Sequence, residues 1–243
     1  IAKKGAKLVP MAYCKISSEV LTILGADKAV QHLTRIISKL GLIEGAPNVS
    51  RVDICADFCT PFDLAAIQDN QFVTKARSID RHSVSRKFSG FSFAVRSPLS
   101  ARLYNKSLEM ACKTDRPYLR KLWMESGWDG EQEVWRMEFQ FRRQALRELG
   151  IVTYHQLTQA LFGLWQHSTH VWLKHTEPST TDLTQTRWPC SAVWVALQQA
   201  TWVYTTQKHL TRVKLERGRI PSDNHLFVNG LSPLTSFCAR EGI

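Results

Sequence analysis

The sequence contains no apolar run approaching the roughly 18 residues that a membrane span requires, and no signal-peptide pattern opens it. No membrane role is expected. Cysteine pairing is missing too, since Cys14, Cys55, Cys59, Cys112, Cys190 and Cys238 show no Cys-x-x-Cys spacing and a chain of 243 residues needs no staples. They read as free thiols in a reducing compartment, the cytoplasm. The lack of an internal repeat or low-complexity stretch removes solenoid architectures. The chain opens on Ile1 and not Met, so a preceding segment is expected.

Acid is the scarce charge. The 32 Lys and Arg outnumber the 21 Asp and Glu, for a formal net charge of +11 and a sequence pI near 9.6. Such an imbalance favours a polyanionic partner, nucleic acid foremost. From Gln71 to Arg102 the bases Lys75, Arg77, Arg81, Arg86, Lys87, Arg96 and Arg102 face Asp80 alone. Such a run is a solvated face unless a site lies beside it.

The hydrophobic periodicity alternates between helix and strand. Val20 to Leu24 and then Val30, Leu33, Ile37 and Leu40 recur at helical spacing, with Asp27 placed to cap the second run and Gly41 to end it. Arg51 to Phe58 alternates strictly, so Val52, Ile54, Ala56 and Phe58 share one face and Asp53 and Asp57 the other. Thr60-Pro61 reads as a helix start. Phe72 to Arg77, Ser85 to Arg96 and Ala101 to Lys106 read as strands, with Ser89-Gly90 and Ser97-Pro98 as punctuation, and a charged helical stretch follows through Lys121. Val134 to Arg142 alternates again, and Leu157, Leu161, Leu164, Trp165, Val171 and Trp172 form a long helical stripe. The fold expected is α+β, a mainly antiparallel sheet with helices on one face and a helical C-terminal part. Residues 1–175 form the main domain with its helical hairpin. Residues 176–243 form a polar linker, 176–189, and a small helical extension.

Three strands share one design: an apolar face opposite a face carrying an arginine and, two positions on, a reactive group. They are Arg51/Asp53, Arg102/Tyr104/Lys106 and Arg136/Glu138. In one sheet these polar faces converge. Phosphodiester transfer needs a nucleophile in line, cations on the non-bridging oxygens and help for the leaving oxygen, and a carboxylate-held Mg2+ or Mn2+ supplies much of that. Asp53 and Glu138 are the expected metal ligands, Tyr104 the nucleophile, and Lys106 or Arg102 the group that lowers the cost of ionising it. Asp53 and Asp57 lie about 13 Å apart along a straight strand, so Asp57 ranks behind the other acids, with a cap or salt bridge as its plain role.

In this order, Arg51-x-Asp53-x-x-x-Asp57, Arg102-x-Tyr104-x-Lys106-x-x-Glu109 and Arg136-x-Glu138 resemble the replication initiation factor family of rolling-circle plasmids and filamentous phages. The resemblance runs from about Arg51 to Gly150. It implies a nicking domain related in logic to relaxases, a transient 5′-phosphotyrosine, and a freed 3′-hydroxyl that primes a host polymerase. By it, Tyr104 matches the nucleophile, with Arg51, Arg102 and Lys106 in the catalytic set, and Asp53, Asp57 and Glu138 match the acidic positions that hold the metal. Expected partners are a single-stranded or cruciform DNA origin, a host helicase and polymerase, and a second copy of the chain as a homodimer, in the bacterial cytoplasm. Expected phosphate contacts are Arg77, Arg81, Arg86, Lys87, Arg136, Arg142 and Arg143. Origin recognition cannot be placed on particular residues.

The His-hydrophobic-His signature of better-known nickases is missing. His167-Ser168-Thr169-His170 has the wrong spacing and falls on the long helix, where a structural role is expected. Tyr13, Tyr118, Tyr154 and Tyr204 lack the flanking cations, and most of the eight tryptophans fall at core positions. A mobilisation relaxase would use the same residues. A water-activating metal nuclease would not need Tyr104, and a non-catalytic DNA-binding protein would need only the basic surface.

Overall fold

The computed structural model describes residues 12–43, 45–200, 202 and 210. Cys238, Tyr204 and most of the helical extension expected after residue 189 lie outside them. Contacts divide the chain at Thr211, and residues 212–243 likewise fall outside.

The fold is α+β. Its frame is a five-stranded antiparallel sheet in the order β1 (Arg51–Phe58), β6 (Trp135–Arg142), β5 (Leu99–Asn105), β4 (Lys87–Phe93), β3 (Ile79–Val84). A second sheet pairs β2 (Phe72–Thr74) with β7 (Leu173–His175). The strict alternation of β1 and β6 sets their register, Ile54 opposite Phe139 and Cys55 opposite Glu138, because a one-residue slip would turn every apolar side chain to water. On the apolar face Ile54, Phe139, Ala101 and Phe93 run across four strands, each nearly or fully buried. A large apolar side chain buried so completely contributes roughly 1.5–3 kcal/mol.

Helices α5 (Arg143–Glu148), α6 (Tyr154–Gln166) and α7 (Ala192–Gln198) and the second sheet supply the other half of this core. Thr153 and Gln156 start α6 with a reciprocal capping box. The stripe expected as one helix changes pitch after Gln166, where residues His167–Trp172 form a wider π turn. His167 is buried in that turn. The Trp165 indole donates to Leu197 O at 2.7 Å and Trp194 to Thr169 O at 2.9 Å, so α7 packs with the first 175 residues. Polar residues before it are tied by an isolated bridge between Thr176 and Cys190.

Several local expectations are corrected. The stretch from Ser85 is no unbroken strand: β3 and β4 form a hairpin whose turn is Ser85-Arg86, and Ser89-Gly90 lies inside β4. Pro61 starts no helix; Asp63 caps a single turn at Leu64–Ala66 instead. In the N-terminal hairpin of α1 (Ser18–Leu24) and α2 (Ala26–Ser38), Gly25 precedes α2, and Asp27 sits in its first turn, accepting from the Tyr154 hydroxyl at 2.7 Å. β5 ends at Asn105, whose side chain caps α3 (Lys106–Cys112), so Lys106 opens a helix and is not a strand residue. After α3 comes α4 (Pro117–Glu125), begun by a proline at its first position. No helix among the described residues is long and apolar enough to cross a membrane.

Candidate active site

The polar face of the sheet is organised in rows perpendicular to the strands. One row runs Asp57, Arg136, Tyr104, Gly90, His82; the next runs Cys55, Glu138, Arg102, Ser92, Asp80; a third holds Asp53, Gln140 and Ser100. The face therefore brings together Arg51, Asp53, Asp57, Arg102, Tyr104, Arg136 and Glu138, as the strand pattern requires. His82, with Nε2 at 2.8 Å from Ser92 Oγ, shares the Tyr104 row and lies beyond sequence reasoning, because no hydrophobic pattern marks the strand that carries it.

Tyr104 is central. Its hydroxyl donates to Glu138 Oε2 at 3.2 Å, and Arg102 Nη2 donates to Glu138 Oε1 at 2.6 Å. The Arg102 guanidinium stands 5.1 Å from the Tyr104 ring centroid and the Lys106 ammonium 5.5 Å, both over the ring face. Burial is the largest influence on the phenol and pushes its pKa well above the ordinary tyrosine value, reinforced by the Glu138 charge and opposed by Arg136 and Arg102. The expected easing by Lys106 or Arg102 is thus outweighed. Lys106 is buried and its ammonium is held by Glu109. Burial raises the Glu109 carboxyl, but the Lys106 hydrogen bond and charge outweigh it and leave the carboxyl below its usual range.

Asp53, Asp57 and Glu138 each have a cation of their own. Arg51 donates to both oxygens of Asp53 in an exposed pair. Asp57 accepts Arg136 Nε at 2.6 Å and Nη2 at 2.7 Å, and the Trp123 indole at 2.8 Å. Burial opposes the Arg136 charge, yet the Asp57 hydrogen bonds leave its pKa raised. Arg136 and Trp123 are both buried, so Arg136, expected to contact phosphate, is spent on Asp57. Arg81 is corrected likewise. It donates to Ile67 O at 2.9 Å and Ala65 O at 2.6 Å, and lies 4.4 Å over the Phe88 ring. Arg77, Arg86, Lys87, Arg142 and Arg143 are exposed.

Asp53 pairs with Gln140, two residues along β6 from Glu138, so the two expected metal ligands sit one row apart on neighbouring strands. Among the described residues no group of three His, Cys, Asp or Glu side chains is placed to hold an ion.

No family model and no curated protein matches the chain. A solved structure it resembles in part is the rolling circle replication initiator protein from Geobacillus stearothermophilus, at 15% sequence identity and a TM-score of 0.41. The match covers 62% of this chain and 55% of that one, so the chain spans about half the length of that initiator. Similarity at that level leaves function to be read from the site's own residues.

Proposed function

We propose that the chain nicks one strand of DNA through Tyr104, holds the 5′ end covalently, and frees a 3′-hydroxyl, the chemistry of a rolling-circle replication initiator or of a mobilisation relaxase. The observation that carries this reading is the Tyr104 hydroxyl hydrogen-bonded to Glu138 on a sheet face set with arginines.

The sequence of events follows from the residues. In the free protein burial keeps Tyr104 protonated. As a phosphodiester settles on the face, the phenol proton passes to Glu138, a base already within hydrogen-bond reach. The phenol oxygen bonds to phosphorus, the bond from phosphorus to the 3′ oxygen breaks, and that oxygen takes up a proton from water, while Glu138 later returns the phenol proton to solvent. Arg102, half exposed beside the site, is the cation free to turn from Glu138 to a non-bridging oxygen. The covalent intermediate conserves the bond energy needed for rejoining.

A Mg2+ or Mn2+ ion held by Asp53 and Glu138 is a separate part of the proposal, and its binding would exchange Arg51 and Arg102 for the ion. It would neutralise charge on the phosphate. The deciding experiment is denaturing capture of a DNA-protein adduct from the full chain with a supercoiled substrate, followed by mapping of the modified peptide. An adduct at Tyr104 is expected; cleavage without one would assign the protein to water-activating nucleases. A non-catalytic DNA-binding protein is the second reading, favoured by the cations already paired with Asp53, Asp57 and Glu138. Neither cleavage nor adduct would establish it.

A further inference from the structure

The sheet is uneven at the end where Tyr104 lies. β4 pairs with β5 only from Gly90 to Phe93, Gly90 opposite Tyr104, whereas β3 and β4 continue together to Val84 and Lys87. Since β3 is an edge strand, the ribbon from Ser83 to Phe88 projects with no strand of the described residues on either side. Its last rung stands three residues beyond Gly90, about 10 Å at roughly 3.4 Å per residue.

The base of this ribbon is anchored. Arg81 is bonded to the carbonyls of Ala65 and Ile67, and the Phe88 ring stacks on Trp135 with centroids 5.7 Å apart. Its tip is free. Val84, Ser85, Arg86 and Lys87 are exposed, and neither cation at the tip has an ion pair among the described residues. No acid occurs between Arg81 and Leu108, so nothing in that stretch offsets them.

The turn itself sacrifices conformational ease for that charge. Ser85 and Arg86 have φ of 50° and 64°, the two positive values of a type I′ hairpin turn, which Asn-Gly fills without strain. Ser-Arg places a guanidinium where a turn selected for stability would carry glycine.

We infer that the β3–β4 hairpin tip is a duplex-reading finger that enters the major groove of double-stranded DNA beside the strand end held at Tyr104. The placement next to the nick rests on the nickase reading above, and it gives origin recognition a location. The major groove, about 12 Å wide, admits a two-stranded ribbon. Arg86 offers the planar fork that pairs bidentately with guanine there, and Lys87 a point charge for phosphate.

The test compares equilibrium binding of the full chain to a stem-loop DNA and to an unstructured single strand of equal length. In the Ser85→Asn/Arg86→Gly double variant the protein melts higher, because the turn strain is relieved. Its stem-loop affinity falls about tenfold relative to the single strand. Lys87→Ala lowers the salt slope on the stem-loop by about 0.9, one phosphate contact. An unchanged ratio of stem-loop to single-strand affinity overturns the inference, and so does a double variant that melts lower and loses both probes equally. These measurements require no cleavage, so failure to find a Tyr104 adduct would remove the nickase reading without deciding this one.

Discussion

Arg136 grips Asp57 across two neighbouring strands through hydrogen bonds of 2.6 and 2.7 Å, and Trp123 donates a third at 2.8 Å to the same carboxylate. Asp57, one of the acidic positions expected to hold a metal, is thereby the partner of a buried guanidinium. Asp57→Asn would leave that charge unpaired, an effect of about 3 kcal/mol or more. Asp53→Asn breaks an exposed pair with Arg51, where the effect stays under about 1 kcal/mol. Urea unfolding of the two variants checks this; equal losses would count against the assignment of Asp57 to structure.

Tyr104→Phe deletes one oxygen and leaves the ring to pack. The lost hydrogen bond to Glu138 has a stability effect of about 1 kcal/mol, while nicking and adduct both vanish and DNA affinity holds. Gel-resolved nicking with parallel binding curves separates these outcomes. Undiminished cleavage would move the chemistry to water.

The metal part is tested by Glu138→Gln and Asp53→Asn in a Mg2+ and Mn2+ titration. Both variants are expected to stay folded and lose metal-supported nicking, with Glu138→Gln the more severe because Glu138 also takes the phenol proton. Full wild-type activity in chelator would remove the ion from the proposal.

His175 gives a pH dependence remote from the site. Burial lowers its pKa from the ordinary 6.5 to about 4, and its Nε2 has no hydrogen-bond partner among the described residues, while Nδ1 meets Ser191 Oγ at 2.7 Å. A histidine buried neutral binds its proton more weakly folded than unfolded. Stability is therefore fully present above about pH 6.5 and falls as pH drops towards 4, by up to about 3 kcal/mol. His175→Asn keeps a polar atom towards Ser191 and should flatten the urea-midpoint profile between those pH values; an unchanged slope would refute the assignment.

Much of this protein was legible from periodicity alone. The strict alternation of Arg51 to Phe58 and of Trp135 to Arg142 determined which side chains turn to the apolar core, and with them the opposite face on which Asp57, Arg136 and Glu138 meet, because the side-chain period of a strand is two. The edge ribbon was not legible. Residues Ile79 to Val84 are almost wholly exposed and carry no hydrophobic alternation to read, and Ser85-Arg86 lacks the glycine that marks such a turn. Pairing across strands was decided only by the tertiary structure. Arg136 stands two residues from Glu138 in sequence, yet it binds Asp57, because neighbouring strands bring opposite charges face to face at Cβ separations of about 5 Å, whereas residues two apart on one strand are spaced by about 6.6 Å. Register, which arises from the fit of the apolar face, thus chose Arg136 for Asp57 and Arg102 for Glu138, while Asp53 pairs with Arg51 on its own strand.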